Sequence, residues 1–156
     1  MERGKLWRTA FSGNARLLDM NAAGFTDALA AERPAFEVAT ATWLLGHLIM
    51  TRRKILELLG RAPAEDPAWA AHYARGGGGA SAHLDWSQLM AAFLVTDQDL
   101  QLAFQQVEDW DRPILNPALG QEQPLEQVLA FFYRHECYHL GQIGLIRKLH
   151  GLPGAI

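Results

Sequence analysis

Four stretches of this chain repeat apolar residues at steps of three and four, and none alternates apolar with polar residues as a half-buried strand does. The first runs over about 12–31, with Phe11, Ala15, Leu18, Ala22, Phe25 and Leu29 on one face and Pro34 beyond its end. The second runs over about 36–59. Phe36, Thr40, Trp43, His47 and Met50 form its stripe, Leu44, Leu48, Ile55 and Leu59 widen it, and Gly60 is placed to cap it. The third starts near Leu84, with Asp85 or Ser87 at its first turn, and presents Trp86, Leu89, Phe93, Leu100, Phe104 and Val107. The fourth starts near Pro124, presents Leu125, Val128, Leu129, Phe132, Ile143, Ile146 and Leu149, and stops at Gly151 and Pro153. Four long helices without strands predict an all-α four-helix bundle, with residues 1–156 as a single domain. The connectors after the second and third helices are long enough to cross an end of the bundle, so an up-down-up-down order is not required. Pro63, Pro67 and Gly76 to Gly79 mark the first of them as a flexible stretch.

Composition narrows the function. A chain that is 49% hydrophobic over 156 residues can bury a core without disulfides or a metal staple. The net charge of −3 argues against broad nucleic-acid binding, which needs phosphate neutralisation. The one cysteine, Cys137, excludes an internal disulfide and fits a reducing compartment. The longest apolar run, Trp43 to Met50, is broken by His47 and is far too short to span a bilayer. No apolar core follows the charged segment Met1 to Lys5 before Arg8. Together these predict a cytoplasmic protein without nucleic-acid or membrane partners.

The anomaly lies in the middle of the fourth helix. His135 and His139 stand one above the other on its apolar face, where a bundle wants leucine. Burying two unpaired imidazoles costs free energy, and a bound metal would satisfy one nitrogen of each. His47 lies on the apolar stripe of the second helix, near its midpoint, as the pair does on the fourth. Midpoints of packed helices lie at one height whichever way the helices run, so the three rings can converge. Three neutral nitrogens and one open position is the catalytic zinc pattern, with metal–nitrogen distances near 2.0–2.2 Å. Nickel, copper or iron(II) would also accept imidazole. A hydrogen-bonded core motif is the plainer alternative.

The same segment spells H-E-x-x-H, with Glu136 in the position of a peptidase base. The peptidase context is missing. No Asp or Glu follows His139, and Gln142 and Leu145 stand where an extended motif needs Gly and His. Glu136 is a candidate base or supporting group for the metal, or else a solvated carboxylate. Cys137 falls on another face and reads as a small packed residue. His72 and His83 in the glycine-rich connector are expected to face solvent. His150 is three turns from His139, about 16 Å, too far for one metal. Arg52, Arg53 and Lys54 read as a solvated face that could meet an anionic substrate. Trp43 is either core or a wall of the metal pocket.

Trp43-Leu44-Leu45-Gly46-His47-Leu48, His135-xxx-His139-Leu140-Gly141-Gln142-Ile143 and the ending Leu145 to Gly154 resemble the DinB/YfiT-like superfamily of metal-dependent enzymes. The resemblance covers nearly the whole chain. It implies a four-helix bundle with a divalent metal, zinc or nickel, on His47, His135 and His139. It also implies a homodimer, and a thiol-dependent transferase or isomerase using a low-molecular-weight thiol. Two functions follow as expectations: a metal-dependent S-transferase or hydrolase of a small molecule, and, from another class, a non-catalytic metal-binding or stress-response protein.

Overall fold

The computed structural model describes residues 3–34, 39–61, 67–75 and 84–156. Among them are helices α1 (Arg3–Ala22), α2 (Asp27–Ala31), α3 (Ala41–Leu58), α4 (Pro67–Tyr73), α5 (Trp86–Gln105) and α6 (Leu125–Leu149). A hairpin of β1 (Pro113–Asn116) and β2 (Gln121–Pro124) precedes α6. Among the described residues the fold is all-α apart from that hairpin.

The expected first helix divides in two. Its stripe of Trp7, Phe11, Asn14, Leu18 and Asn21 starts earlier than Phe11, and the helix stops at Ala22, because Gly24 takes φ +88°. Thr26 then caps α2, its hydroxyl accepting from Leu29 N–H at 3.1 Å. Arg147 of α6 closes the exposed end of α1, donating to the Asn21 and Ala23 carbonyls. α3 begins where Thr40 accepts from Trp43 N–H at 3.0 Å, and it ends at Leu58, with Gly60 at φ +77° just beyond, where the sequence places a cap. Phe36 lies outside the described residues, and the helix starts later than the expected 36, since Ala39 and Thr40 are non-helical and Thr40 is its cap and not part of its stripe. On α6 the stripe is buried except for Leu149, which is exposed beside the helix end.

The four long helices pack in a cycle: α1 and α3 each touch both α5 and α6. Two apolar clusters fix their directions. One holds Leu18, Leu44, Leu48, Leu89, Phe93, Ile143 and Ile146; the other holds Trp7, Phe11, Ile55, Leu56, Leu100, Phe104, Val128 and Leu129. α3 and α5 both run from the first cluster to the second, and α1 and α6 run back. The order is therefore up-down-down-up, and the connector between α3 and α5 must return along the molecule. That connector carries α4, which packs on α3. The strands were not expected: four-residue segments reading Pro-Ile-Leu-Asn and Gln-Glu-Gln-Pro carry no alternation to see. Prolines sit at the paired ends Pro113 and Pro124, where an edge strand tolerates a missing donor.

Between the two clusters lies a polar layer: Asn14 of α1, Arg52 of α3, Thr96 of α5 and Glu136 of α6, all buried. The three histidines of the sequence analysis border this layer.

Candidate metal centre

His47, His135 and His139 converge, each offering a ring nitrogen within 4.8 Å of the others. Nε2 of His135 stands 3.2 Å from Nε2 of His47 and 3.1 Å from Nε2 of His139. Two nitrogens bound to one tetrahedral zinc stand roughly 3.3 Å apart, so the spacing is that of ligands around a single ion. Second partners set the tautomers. Nδ1–H of His47 donates to the Tyr73 carbonyl at 2.8 Å, and Nδ1–H of His139 donates to Gln142 Oε1 at 2.6 Å. Both partners can only accept, so Nε2 of each ring carries a lone pair aimed at His135. A neutral His135 can donate to one of them at most. A lone pair is left without a donor in a partly buried site, and a cation among the three nitrogens removes the conflict. The donor set fits a divalent metal. Among the described residues no fourth His, Cys, Asp or Glu joins the group.

Sequence reasoning found the three converging histidines and missed what holds them. α4 carries most of that support. Tyr73 supplies the carbonyl to His47, the His72 carbonyl accepts from Trp43 Nε1–H at 2.9 Å, and Trp69 Nε1–H donates to the Gly46 carbonyl at 3.1 Å. Trp43 stacks on His47 with centroids 5.0 Å apart and planes 8° from parallel, so it walls the centre. His72 is half-buried in α4 rather than turned to solvent; His83 lies outside the described residues. Gly46 makes the docking possible, because a Cβ there would collide with the Tyr73 ring. Gly46→Ala should therefore displace α4, cost about 1–3 kcal/mol by overpacking, and weaken metal binding through loss of the Tyr73 bond. Denaturant melts and zinc titration of the variant check both effects.

The sequence profile of the DinB superfamily matches residues 10–143. The chain belongs to the DinB superfamily. Among curated proteins none matches it. The three histidines that the resemblance assigned to a metal in this DinB domain are the three that converge.

Glu136 sits one residue after His135, and its carboxylate is committed elsewhere. Arg52 donates to both oxygens, Nε to Oε2 and Nη2 to Oε1, each at 2.8 Å. Arg52 also reaches Asp97 Oδ1 at 2.8 Å and the Phe11 carbonyl at 3.4 Å, so one side chain of α3 bonds α6, α5 and α1. Its guanidinium lies 3.8 Å from the Phe93 centroid. Neither residue belongs to a solvated face, since Arg52 is fully buried and Glu136 is 1% exposed. Burial opposes the Arg52 charge, and Glu136 and Asp97 outweigh it, raising the guanidinium above its ordinary range. The pair joins α3 to α6 five residues after His47 and one residue after His135. Cys137 is half-buried on another face and donates to Asn14 Oδ1 at 3.5 Å.

Burial holds all three imidazoles of this DinB domain below the ordinary histidine range. His135 is lowered to about 4 by desolvation and then by its neighbours His139 and His47. His47 is lowered by desolvation against the help of Tyr73, and His139 by desolvation against Gln142. Two consequences follow for acid titration. The unfolded chain takes up protons near 6.5 while the folded one resists, so stability of metal-free protein is full above about 6.5 and falls as pH drops toward 4. Protons also compete with the metal later than an ordinary histidine would allow. Zinc should stay bound at pH 6 and leave toward pH 4, followed by dialysis at stepped pH; release complete by pH 6 would contradict the burial argument.

Proposed function

We propose that this domain is a divalent-metal-dependent enzyme acting on a small molecule, and that its reaction is thiol-dependent S-transfer rather than hydrolysis. The observation that carries the enzymatic reading is the open side of the centre. A cavity of about 730 Å³ lies against His47 and His135, within the size range of small-molecule sites. A purely structural site would be closed by a fourth protein ligand. Bound there, zinc or nickel supplies a Lewis acid that lowers the pKa of a neighbouring thiol or water.

The preference for transfer rests on Glu136. Hydrolysis needs a base free to take a proton, and the carboxylate nearest in sequence is held at both oxygens by Arg52. A thiol needs only its pKa lowered to become a nucleophile. The chain's own contributions are then the orientation of His47 by Tyr73 and of His139 by Gln142, the Trp43 ring stacked on His47, and the apolar wall that Phe132 gives the cavity. The homodimer implied by the resemblance belongs to the same reading.

The test is a panel of low-molecular-weight thiols with electrophiles, run beside esters and amides, on wild type and Glu136→Gln well below the melting temperature. Turnover should need metal and thiol, and Glu136→Gln should lose far less than the roughly 100-fold expected of a general base. Thiol-independent hydrolysis abolished by Glu136→Gln with metal retained would overturn the preference. Stoichiometric metal without turnover of any class would favour the non-catalytic alternative.

A further inference from the structure

The cavity beside the histidines has a chemical character of its own. Trp69, Phe131, Phe132 and Leu119 give it apolar walls, from α4, α6 and the hairpin turn. Its charged side chains are Arg53, Lys54, Arg75 and Glu57, an excess of cations in a chain of net charge −3. Lys54 and Glu57 pair with each other, three residues apart on α3. Among the described residues no carboxylate pairs with Arg53 or Arg75. Arg53 is held in place by stacking, with its guanidinium carbon 4.3 Å from the Trp69 ring centroid. A guanidinium fixed on an aromatic face keeps its edge donors free and loses little freedom on binding an anion.

We propose that the ligand of this cavity is a small organic carboxylate with a flat apolar body. Its body lies along the aromatic walls, its carboxylate meets Arg53 and Arg75, and its other end faces the histidines. The proposal rests on the enzymatic reading only for that last direction; recognition of the anion stands without it. The carboxylate belongs to the electrophile or to the thiol, and both sources share the chemistry that the two arginines read.

The probes are 2-naphthoate and its neutral amide, titrated calorimetrically into zinc-loaded and metal-stripped protein. The acid should bind about tenfold tighter than the amide, the size of one charge-assisted contact at a partly exposed site. The gap should persist without metal and collapse in Arg53→Gln/Arg75→Gln, while the amide's affinity stays within a few-fold. Arg75→Gln alone, at an exposed side chain, should narrow the gap and serves if the double variant folds poorly. Equal binding of acid and amide, or no binding of either, overturns the proposal. So does a gap that vanishes with the metal and ignores the arginines, since the carboxylate would then sit on the histidine centre. Failure of the metal reading looks different: no zinc is taken up, and the preference for the acid survives.

Discussion

Arg52→Met should destabilise the domain by about 3–5 kcal/mol, the range for breaking a buried ion pair from one side. At roughly 2–4 °C per kcal/mol for a domain of this length, the melting temperature should fall by about 6–20 °C. The substitution leaves Glu136 buried without its donors and strands Asp97, which is 18% exposed at its side chain and can turn to solvent. Glu136→Leu should cost a similar amount, because it strands the Arg52 charge. The two changes should not add. Removing both charges puts apolar side chains between Phe11 and Phe93 and leaves Asn14 and Thr96 in the layer, so Arg52→Met/Glu136→Leu should recover much of the single-variant loss. Denaturant melts of the two singles and the double measure the coupling. Singles within about 1 kcal/mol of wild type would show that Arg52 does not lock the helices together.

Loss of one histidine of the centre should be the largest effect on binding. Replacing a neighbour that hydrogen-bonds to a ligand costs roughly 10–100-fold in metal affinity, and removing a ligand should exceed that. His135→Ala takes away the nitrogen that lies within 3.2 Å of both partners, so it should reduce zinc affinity by more than about 100-fold. The same variant should lose the thermal response to metal. At a thousand times the dissociation constant, binding adds about 4.1 kcal/mol to wild-type stability, or roughly 8–16 °C at this chain length. His135→Ala at the same zinc concentration should show almost none of that rise, as a melt with and without zinc will reveal. Gln142→Ala should fall between, since it frees His139 Nδ1–H without removing a ligand.

The elements of this fold differ in how plainly the sequence marks them. The stripes of α3, α5 and α6 are long and regular, so helix identity, the three histidines and their common height were legible from periodicity. The break at Gly24 was not, because Phe25 and Leu29 continue the spacing of α1 past a residue that leaves the helix. α4 was hidden by its length; seven residues between prolines and glycines show too few turns to reveal a face, yet it supplies the carbonyl that orients His47. A run of Arg-Arg-Lys looks solvated, and the partners that bury Arg52, Glu136 and Asp97, come from two other helices far away in sequence. Glu136 drew attention through the H-E-x-x-H spelling. Its carboxylate faces the layer between the apolar clusters, where its partner is a guanidinium.

The central claim is that His47, His135 and His139 hold one divalent ion, and elemental analysis of untagged protein tests it most directly. Protein purified without a tag should carry about one equivalent of zinc or nickel per chain, removable by a chelator and restored by either metal. Wild-type protein that folds normally and stays metal-free in zinc or nickel excess would contradict the account, and would make the three imidazoles a hydrogen-bonded core motif.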